Sequence, residues 1–126
     1  MLSTVLLVNG IVDVLAAVML VLFPAVGWRI PGYDAIAQQT AFAAGGWAIS
    51  TLALGVSRIW AAYVPAFRRF TGTVALIEGA LLGAFCIVRL VAGSNPLPQV
   101  AMALPVGTVF PAANAISLIL GRRPRE

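Results

Sequence analysis

The sequence predicts an all-α integral membrane protein in which residues 1–126 form a single domain of four spanning helices, packed as a four-helix bundle. Hydrophobic residues make up 61% of the 126 residues and charged residues only 10%, whereas about a quarter of the residues in a soluble domain are charged. The mean hydropathy is +1.01. Four apolar runs, about 3–23, 40–57, 71–91 and 99–120, match the roughly 18 residues that a helix needs to cross a bilayer.

The first run is predicted to be a spanning helix and not a cleaved signal peptide. It lacks a positively charged start, it is longer than the apolar part of such peptides, and three further runs follow it. The segments between the runs have the composition of interface loops. Residues 24–39 hold two prolines and two glycines, residues 58–70 combine three arginines with four aromatic rings, and residues 92–98 read as a tight turn.

The distribution of arginine predicts the orientation. The 58–70 loop and the C-terminal tail each carry three arginines, while only Arg29 and Arg89 lie at the opposite side. Because basic residues accumulate on the cytoplasmic side, we expect both termini in the cytoplasm and the protein in the cell membrane. The net charge of +4 therefore serves topology and lipid contact, and we expect no nucleic-acid partner.

The two halves of the chain resemble each other. Residues 7–18 align with residues 76–87, which pairs Asn9 with Glu78, and residues 48–55 resemble residues 115–121. Two duplicated helical hairpins would give this pattern. A chance alignment of leucine, alanine and glycine would give it too, and both interpretations stay open.

Polar side chains interrupt all four apolar runs at a similar predicted depth. With a rise of 1.5 Å per residue, these side chains lie about 9–10 Å from the cytoplasmic side, and two residues lie roughly one turn deeper. Because a charged group on a lipid-facing helix costs about 2.5–3.5 kcal/mol, we expect this polar level to face the interior of the bundle. The shallower residues are Asn9, Glu78, Ser50 and Asn114, and the deeper ones are Asp13 and Trp47.

The roles of these residues have alternatives. Buried amides and hydroxyls such as Asn9, Asn114 and Ser117 are ordinary hydrogen-bonding contacts between helices, whereas intramembrane acids such as Asp13 and Glu78 mark binding or proton pathways. No basic residue is predicted at their depth, so we expect at least one of the two acids to be neutral at rest. Trp47 would form the wall of a ligand pocket or fill the core.

The chain has no histidine and only one cysteine, Cys86, which excludes an internal disulfide, paired-imidazole metal or haem sites and a Ser-His-Asp triad. We therefore expect no metal, no cofactor and no enzyme. Gly79 and Gly83 form a GxxxG pattern, which predicts close packing within the chain or a homodimer. Pro105 and Pro111 predict a kink or break in the fourth run.

The layout resembles small bacterial four-helix membrane proteins of the DoxX-like and BphX-like families. The matching features cover most of the chain: Leu22-Phe23-Pro24 at the end of the first run, Pro31-Gly32 in an external loop, an arginine-rich middle loop and a basic tail. Those families are largely without an assigned activity. The small multidrug resistance transporters are similar in length and carry one acid where Asp13 stands, but the arginine bias and Glu78 depart from their pattern.

Two hypotheses of function follow. The first is a non-enzymatic membrane protein that binds a small lipophilic ligand in a polar cavity, or that serves as an accessory subunit of a larger membrane complex. The second is a proton-coupled transporter of small molecules in which Asp13 and Glu78 exchange protons against substrate.

Overall fold

The computed structural model describes residues 1–25, 38–94, 97–100 and 103–121. In these ranges every regular element is an α-helix and no strand occurs, which confirms the all-α class. The predicted 24–39 loop with Arg29 and Pro31-Gly32 lies largely outside the described residues, as does the basic tail. The helices are α1 (Leu2–Ala25), α2 (Gln38–Tyr63), α3 (Pro65–Val91), α4 (Leu97–Val100), α5 (Ala103–Val106) and α6 (Val109–Leu120).

Within the described ranges, three helical stretches are long and apolar enough to cross a bilayer. They are Leu2–Val21, Pro65–Val91 and Ala103–Leu120, with hydropathies of 2.3, 2.2 and 1.7. The prediction of a membrane protein with spanning helices is therefore supported by the structure. The remaining predicted span, about 40–57, falls within α2 and stays a prediction.

The predicted 58–70 loop is wrong, because helix covers almost all of it. α2 continues to Tyr63, α3 begins at Pro65, and only Val64 separates them. Proline fits the first turn of a helix, where no hydrogen bond is lost, and it forces the preceding residue into an extended conformation. Val64 has that conformation, with φ −106° and ψ 100°. Arg68 donates two hydrogen bonds, of 2.8 and 3.2 Å, to the carbonyl oxygen of Ala62 and so completes the end of α2.

α3 ends in a turn at residues 92–94, within the predicted 92–98 turn, whose last two residues instead begin α4. The N–H of Gly93 donates to the carbonyl of Leu90 and the N–H of Ser94 to that of Arg89, each at 3.0 Å. This is the hydrogen-bond pattern of a Schellman motif, which needs a residue with positive φ at its centre. Gly93 supplies it, with φ 65°.

The fourth apolar run is interrupted, as its prolines predict. α5 ends at Val106 and α6 begins at Val109, with Gly107 and Thr108 between them. Pro111 has no N–H and cannot bond to the carbonyl of Gly107. The hydroxyl of Thr108 donates to the carbonyl of Leu104 at 2.8 Å and stabilises the end of α5.

The glycines of α3 pack against α6, which confirms that the GxxxG pattern is used within the chain. A methyl group built on Gly79 would lie 2.5 Å from Cγ of Pro111, and one built on Gly83 would collide with the backbone of Gly107. Gly79, Gly83 and Gly107 are all buried. Only a residue without a side chain permits this approach.

α1 and α2 also pack closely through glycines. A methyl group on Gly10 would lie 2.7 Å from the carbonyl oxygen of Gly55, and one on Gly55 would lie 2.9 Å from that of Gly10. α2 also contacts α3, and α1 contacts α6. A cluster of small and aliphatic residues, Leu6, Ala61, Ala62 and Ala75, joins α1, α2 and α3.

Candidate functional site

Three charged side chains from three helices meet inside the protein. Nη1 of Arg58 on α2 donates to Oδ2 of Asp13 on α1, and Nη2 of the same guanidinium donates to Oε2 of Glu78 on α3. Both contacts are ion pairs. We call Asp13, Arg58 and Glu78 the charged triad.

The direction of the helices explains why these side chains converge. α1 begins, α2 ends and α3 begins at the same end of the protein. Measured from the level of Leu2, which Gly72 of α3 shares, Asp13 lies about 16 Å in and Glu78 about 9 Å. The contact of Gly10 with Gly55 places Arg58 about 8 Å in on the same scale. Side chains lean towards the N-terminus of their helix. The long side chain of Arg58 therefore leans deeper, while both carboxylates lean back towards it.

One carboxylate of the charged triad is buried and the other is partly exposed. The side chains of Arg58 and Asp13 are only 4% and 6% exposed, whereas that of Glu78 is 43% exposed. A buried ion pair is maintained because removing either partner leaves an uncompensated charge. With two carboxylates and one guanidinium the triad carries one excess negative charge when all three groups are ionised. That excess is accessible at Glu78.

The expectation that no basic residue shares the depth of the two acids is wrong. The local sequence predicts Arg58 in the headgroup layer, because arginine beside aromatic residues is typical of membrane interfaces. The signal that identifies it is the pair of intramembrane acids, Asp13 and Glu78, which require a counter-charge. Arg58 is followed by Ile-Trp-Ala-Ala-Tyr, a stretch that extends the second helix by more than one turn and places the arginine inside.

Two predicted asparagines are buried as expected. Asn9 is 2% exposed and lies one turn before Asp13 on α1, while Asn114 on α6 is 0% exposed. Within the described part of the chain, Oδ1 of Asn9, both amide atoms of Asn114 and the hydroxyl of Ser117 have no hydrogen-bond partner. The predicted hydrogen bonds of Asn114 and Ser117 to other helices are therefore not formed within the described residues.

Trp47 and Ser50 are not brought to the triad. The side chain of Trp47 is 52% exposed, and the hydroxyl of Ser50 donates to the carbonyl of Gly46 on its own helix at 3.2 Å. The prediction that Trp47 and Ser50 lie at the interior polar level is therefore wrong. Among the described residues, a methyl group on Gly45 or Gly46 would meet no atom within 4 Å.

Comparison with protein-family models, curated proteins and solved structures finds no match. The resemblance to the DoxX-like and BphX-like families stays a prediction.

An open apolar groove lies on the α1–α2 pair beyond the triad. Its volume is about 240 Å³, and its lining is entirely apolar: Ala17, Val18, Val21, Ala48, Ile49 and Leu52. It is therefore not the polar cavity that the sequence predicts. In the described ranges no group of three or more cysteine and carboxylate side chains is placed to hold a metal ion.

The arrangement supports binding and proton exchange more readily than covalent chemistry. Both triad carboxylates are held by one guanidinium, which is always protonated in proteins and cannot act as a base. Cys86 is buried on the face of α3 that also holds Gly79 and Gly83. What the site offers is a half-exposed carboxylate, Glu78, at the edge of a low-dielectric interior, where its electrostatic interactions are stronger than in water.

Proposed function

We propose that this protein is a non-enzymatic multi-pass membrane protein that binds a small lipophilic molecule carrying one polar group at Glu78. The observation that carries the proposal is the asymmetry of the triad. Asp13 and Arg58 neutralise each other in the interior, while Glu78 is bonded to the second guanidinium nitrogen and remains 43% exposed.

A ligand can bind at Glu78 without breaking the buried ion pair between Asp13 and Arg58. A polar group that donates a hydrogen bond, or that carries a positive charge, reaches Glu78 while the Asp13–Arg58 pair stays closed. Ile77 and Leu81, beside Glu78 on α3, are 55% and 67% exposed and offer an apolar surface to the rest of the molecule. Polar interactions gain strength where water is excluded.

The proposal includes the arrangement of the whole chain in the cell membrane. The four predicted spans form a four-helix bundle with both termini in the cytoplasm, built from two duplicated hairpins. Support comes from Gly72, where a methyl group would lie 3.1 Å from Leu2 of α1. The two residues are seventy positions apart, close to the 69-residue offset of the sequence repeat, as expected for duplicated helices at equal depth.

A role as an accessory subunit of a larger membrane complex uses the same surface. A helix of another protein that carries one basic or hydrogen-bond-donating residue would contact Glu78 as a small ligand does. In that case Glu78→Gln would abolish assembly with the partner and would leave the response to small molecules unchanged.

The second candidate is a proton-coupled transporter, and it is favoured by the excess acid of the triad. Two carboxylates on one guanidinium are neutralised by one proton or by one cationic substrate, and the two would compete for Glu78. A transporter of this kind would keep its fold on Glu78→Gln or Asp13→Asn but lose uptake driven by a pH gradient in proteoliposomes.

Thermal unfolding of the purified protein in detergent tests the proposal. Wild type, Glu78→Gln and Thr73→Val are compared against a panel of lipophilic cations, quinones and sterol-like compounds. Thr73 is an exposed control on the same helix, whose hydroxyl bonds to the carbonyl of Arg69 at 3.0 Å.

We expect one class of compound to raise the midpoint of wild type and of Thr73→Val but not that of Glu78→Gln. A ligand at a hundred times its Kd stabilises a protein by about 2.7 kcal/mol, which is readily measured. If no compound shifts the wild type, or if every shift persists in Glu78→Gln, ligand binding at Glu78 is refuted.

A further inference from the structure

Three buried side chains have polar atoms that lack a hydrogen-bond partner in the described part of the chain: Asn9 through Oδ1, Asn114 through both amide atoms and Ser117 through its hydroxyl. They occupy successive levels along the helix axes. Asn114 and Ser117 are three positions apart on α6, on the buried face that also holds Pro111. The packing of α3 against α6 and α1 fixes their heights relative to Asn9 and the triad.

α3 and α6 are antiparallel in one continuous register. A methyl group on Gly72 would lie 3.6 Å from Leu118, and one on Gly79 would lie 2.5 Å from Pro111. Seven residues up α3 thus correspond to seven residues down α6. Asn114, between Pro111 and Leu118, is therefore in the part of α6 that faces α3.

α1 joins this register at Gly72. Leu2 of α1 lies 3.1 Å from the same methyl position that Leu118 of α6 approaches, so Leu2 and Leu118 are at one level. Asn9 is seven positions after Leu2, and residues seven apart lie on nearly the same helix face. Asn9 therefore faces α3 and α6, two turns further in than Leu2.

The heights form a series. Depth is measured along the helix axes from the level of Leu2 and Leu118 towards the opposite membrane face. On this scale the depths are about 1.5 Å for Ser117, 6 Å for Asn114, 10.5 Å for Asn9 and 16.5 Å for Asp13. One ion or one polar headgroup cannot contact groups spread over about 15 Å. Steps of about 4.5–6 Å are close to the separation of two groups bridged by one water, at about 2.8 Å per hydrogen bond.

We propose that Asn9, Asn114 and Ser117 line a file of water molecules through which the triad carboxylates exchange protons with the membrane face where α1 begins and α6 ends. The proposal rests on the proposed function in that it takes Glu78 as the open end of the triad. It adds the side from which protons arrive and the residues that admit them.

The chemistry of the file needs only proton transfer between oxygen atoms. A hydronium ion at the face passes one proton to the next water, and the last water gives a proton to a carboxylate, which becomes a neutral acid while hydronium becomes water. The amides and the hydroxyl orient the water and end unchanged. The charged groups that face the file are Asp13 on α1, Arg58 on α2 and Glu78 on α3, and α6 carries no charged residue.

The test uses dicyclohexylcarbodiimide, a lipophilic reagent that attaches to carboxyl groups in their protonated form. The full chain is reconstituted into proteoliposomes, and vesicles with a C-terminal tag outside are captured so that the face where α6 ends is known. The pH is lowered from about 7 to about 5, across the range in which carboxylates begin to take protons, on one side at a time. Attachment to Glu78 is measured as the mass shift of its peptide.

We expect several-fold more attachment in wild type when the face where α6 ends is acidified, and no change when the opposite face is acidified. Asn114→Leu, which fills the file with an apolar side chain, should lose this dependence, and Asn9→Leu should lose it as well. Ser57→Ala is the control, because Ser57 is exposed and its hydroxyl donates to the carbonyl of Leu54 on its own helix at 2.8 Å.

Attachment that follows the opposite face, that ignores both sides or that never occurs would overturn the proposal. Attachment in Asn114→Leu equal to wild type would overturn it too. The ligand-induced midpoint shift is measured on the same variants. If Asn114→Leu keeps the ligand-induced midpoint shift and its carbodiimide attachment equals that of wild type, only the water file is refuted. If no ligand shifts the midpoint of wild type, the proposed function is refuted independently of the file.

Discussion

Replacing Arg58 with methionine should destabilise the protein by removing the positive charge that holds Asp13 in the interior. Asp13 is 5% exposed and Arg58 is 3% exposed, so water cannot take the place of the lost partner. Methionine keeps an unbranched side chain of similar length, which limits the change in packing. The effect therefore reports the charge and not a cavity.

The magnitude has a ceiling, because an unpaired aspartate can take up a proton. An aspartic acid in water loses its proton near pH 3.9, and each pH unit corresponds to about 1.4 kcal/mol, so holding the group protonated costs about 4 kcal/mol at pH 7 and about 1.5 kcal/mol at pH 5. Breaking buried ion pairs costs about 3–5 kcal/mol in other proteins. Glu78 adds less, since its side chain is 43% exposed.

The assay is equilibrium unfolding in mixed micelles, followed by circular dichroism, at both pH values. Arg69→Met is the matched control, because Arg69 is exposed on α3. The combined variant Asp13→Leu, Arg58→Met and Glu78→Gln should regain most of the lost stability, since replacing a whole buried ion-pair network by apolar groups is often neutral. A loss below about 1 kcal/mol at pH 7, as at exposed pairs, or a loss that does not shrink at pH 5, would refute the reasoning.

Four further substitutions have definite expected outcomes. Gly83→Ala should cost about 1–3 kcal/mol of unfolding free energy, because its methyl group meets the backbone of Gly107. Gly45→Ala, whose methyl group would meet no atom within 4 Å, should be neutral or stabilise the protein by up to about 1 kcal/mol. If Gly83→Ala and Gly45→Ala lose the same unfolding free energy, the close packing of Gly83 on Gly107 is refuted. Asn114→Leu should change the unfolding free energy by less than about 1 kcal/mol, since neither amide atom has a partner in the described chain; a larger loss would show that Asn114 bonds another helix. Trp47→Leu should leave the ligand-induced midpoint shift unchanged, because Trp47 lies outside the triad, and loss of the shift would return it to the binding site.

The membrane class could be predicted from composition alone, since only 10% of the residues are charged and soluble domains carry about a quarter. The burial of Asn9 and Asn114 also follows from the sequence, because a polar group in an apolar helix avoids lipid. The outward position of Trp47 could not be predicted. In helices whose lipid face and interior face are both apolar, the periodic pattern that marks the buried side of a soluble helix is weak.

Arg58 shows the limit of local composition. An arginine next to aromatic residues has the same local signature at a headgroup layer and at the last buried turn of a helix. Which one holds depends on whether acids from other helices reach it, and that is set by the packing of Gly10 on Gly55, which brings α1 and α2 together. Likewise Gly79 and Gly83 predict a close approach but do not identify α6 as the helix that approaches.

The most direct test of the charged triad is solid-state nuclear magnetic resonance of the protein in lipid bilayers, with labelled arginine, aspartate and glutamate. The measurement is the through-space correlation between the guanidinium nitrogens of Arg58 and carboxylate carbons or lipid phosphorus, with Arg58→Met identifying the signal. The triad predicts correlations with Asp13 and Glu78, lost separately in Asp13→Asn and Glu78→Gln. A correlation of Arg58 with lipid phosphate, and none with either carboxylate, would contradict it and return this arginine to the membrane surface.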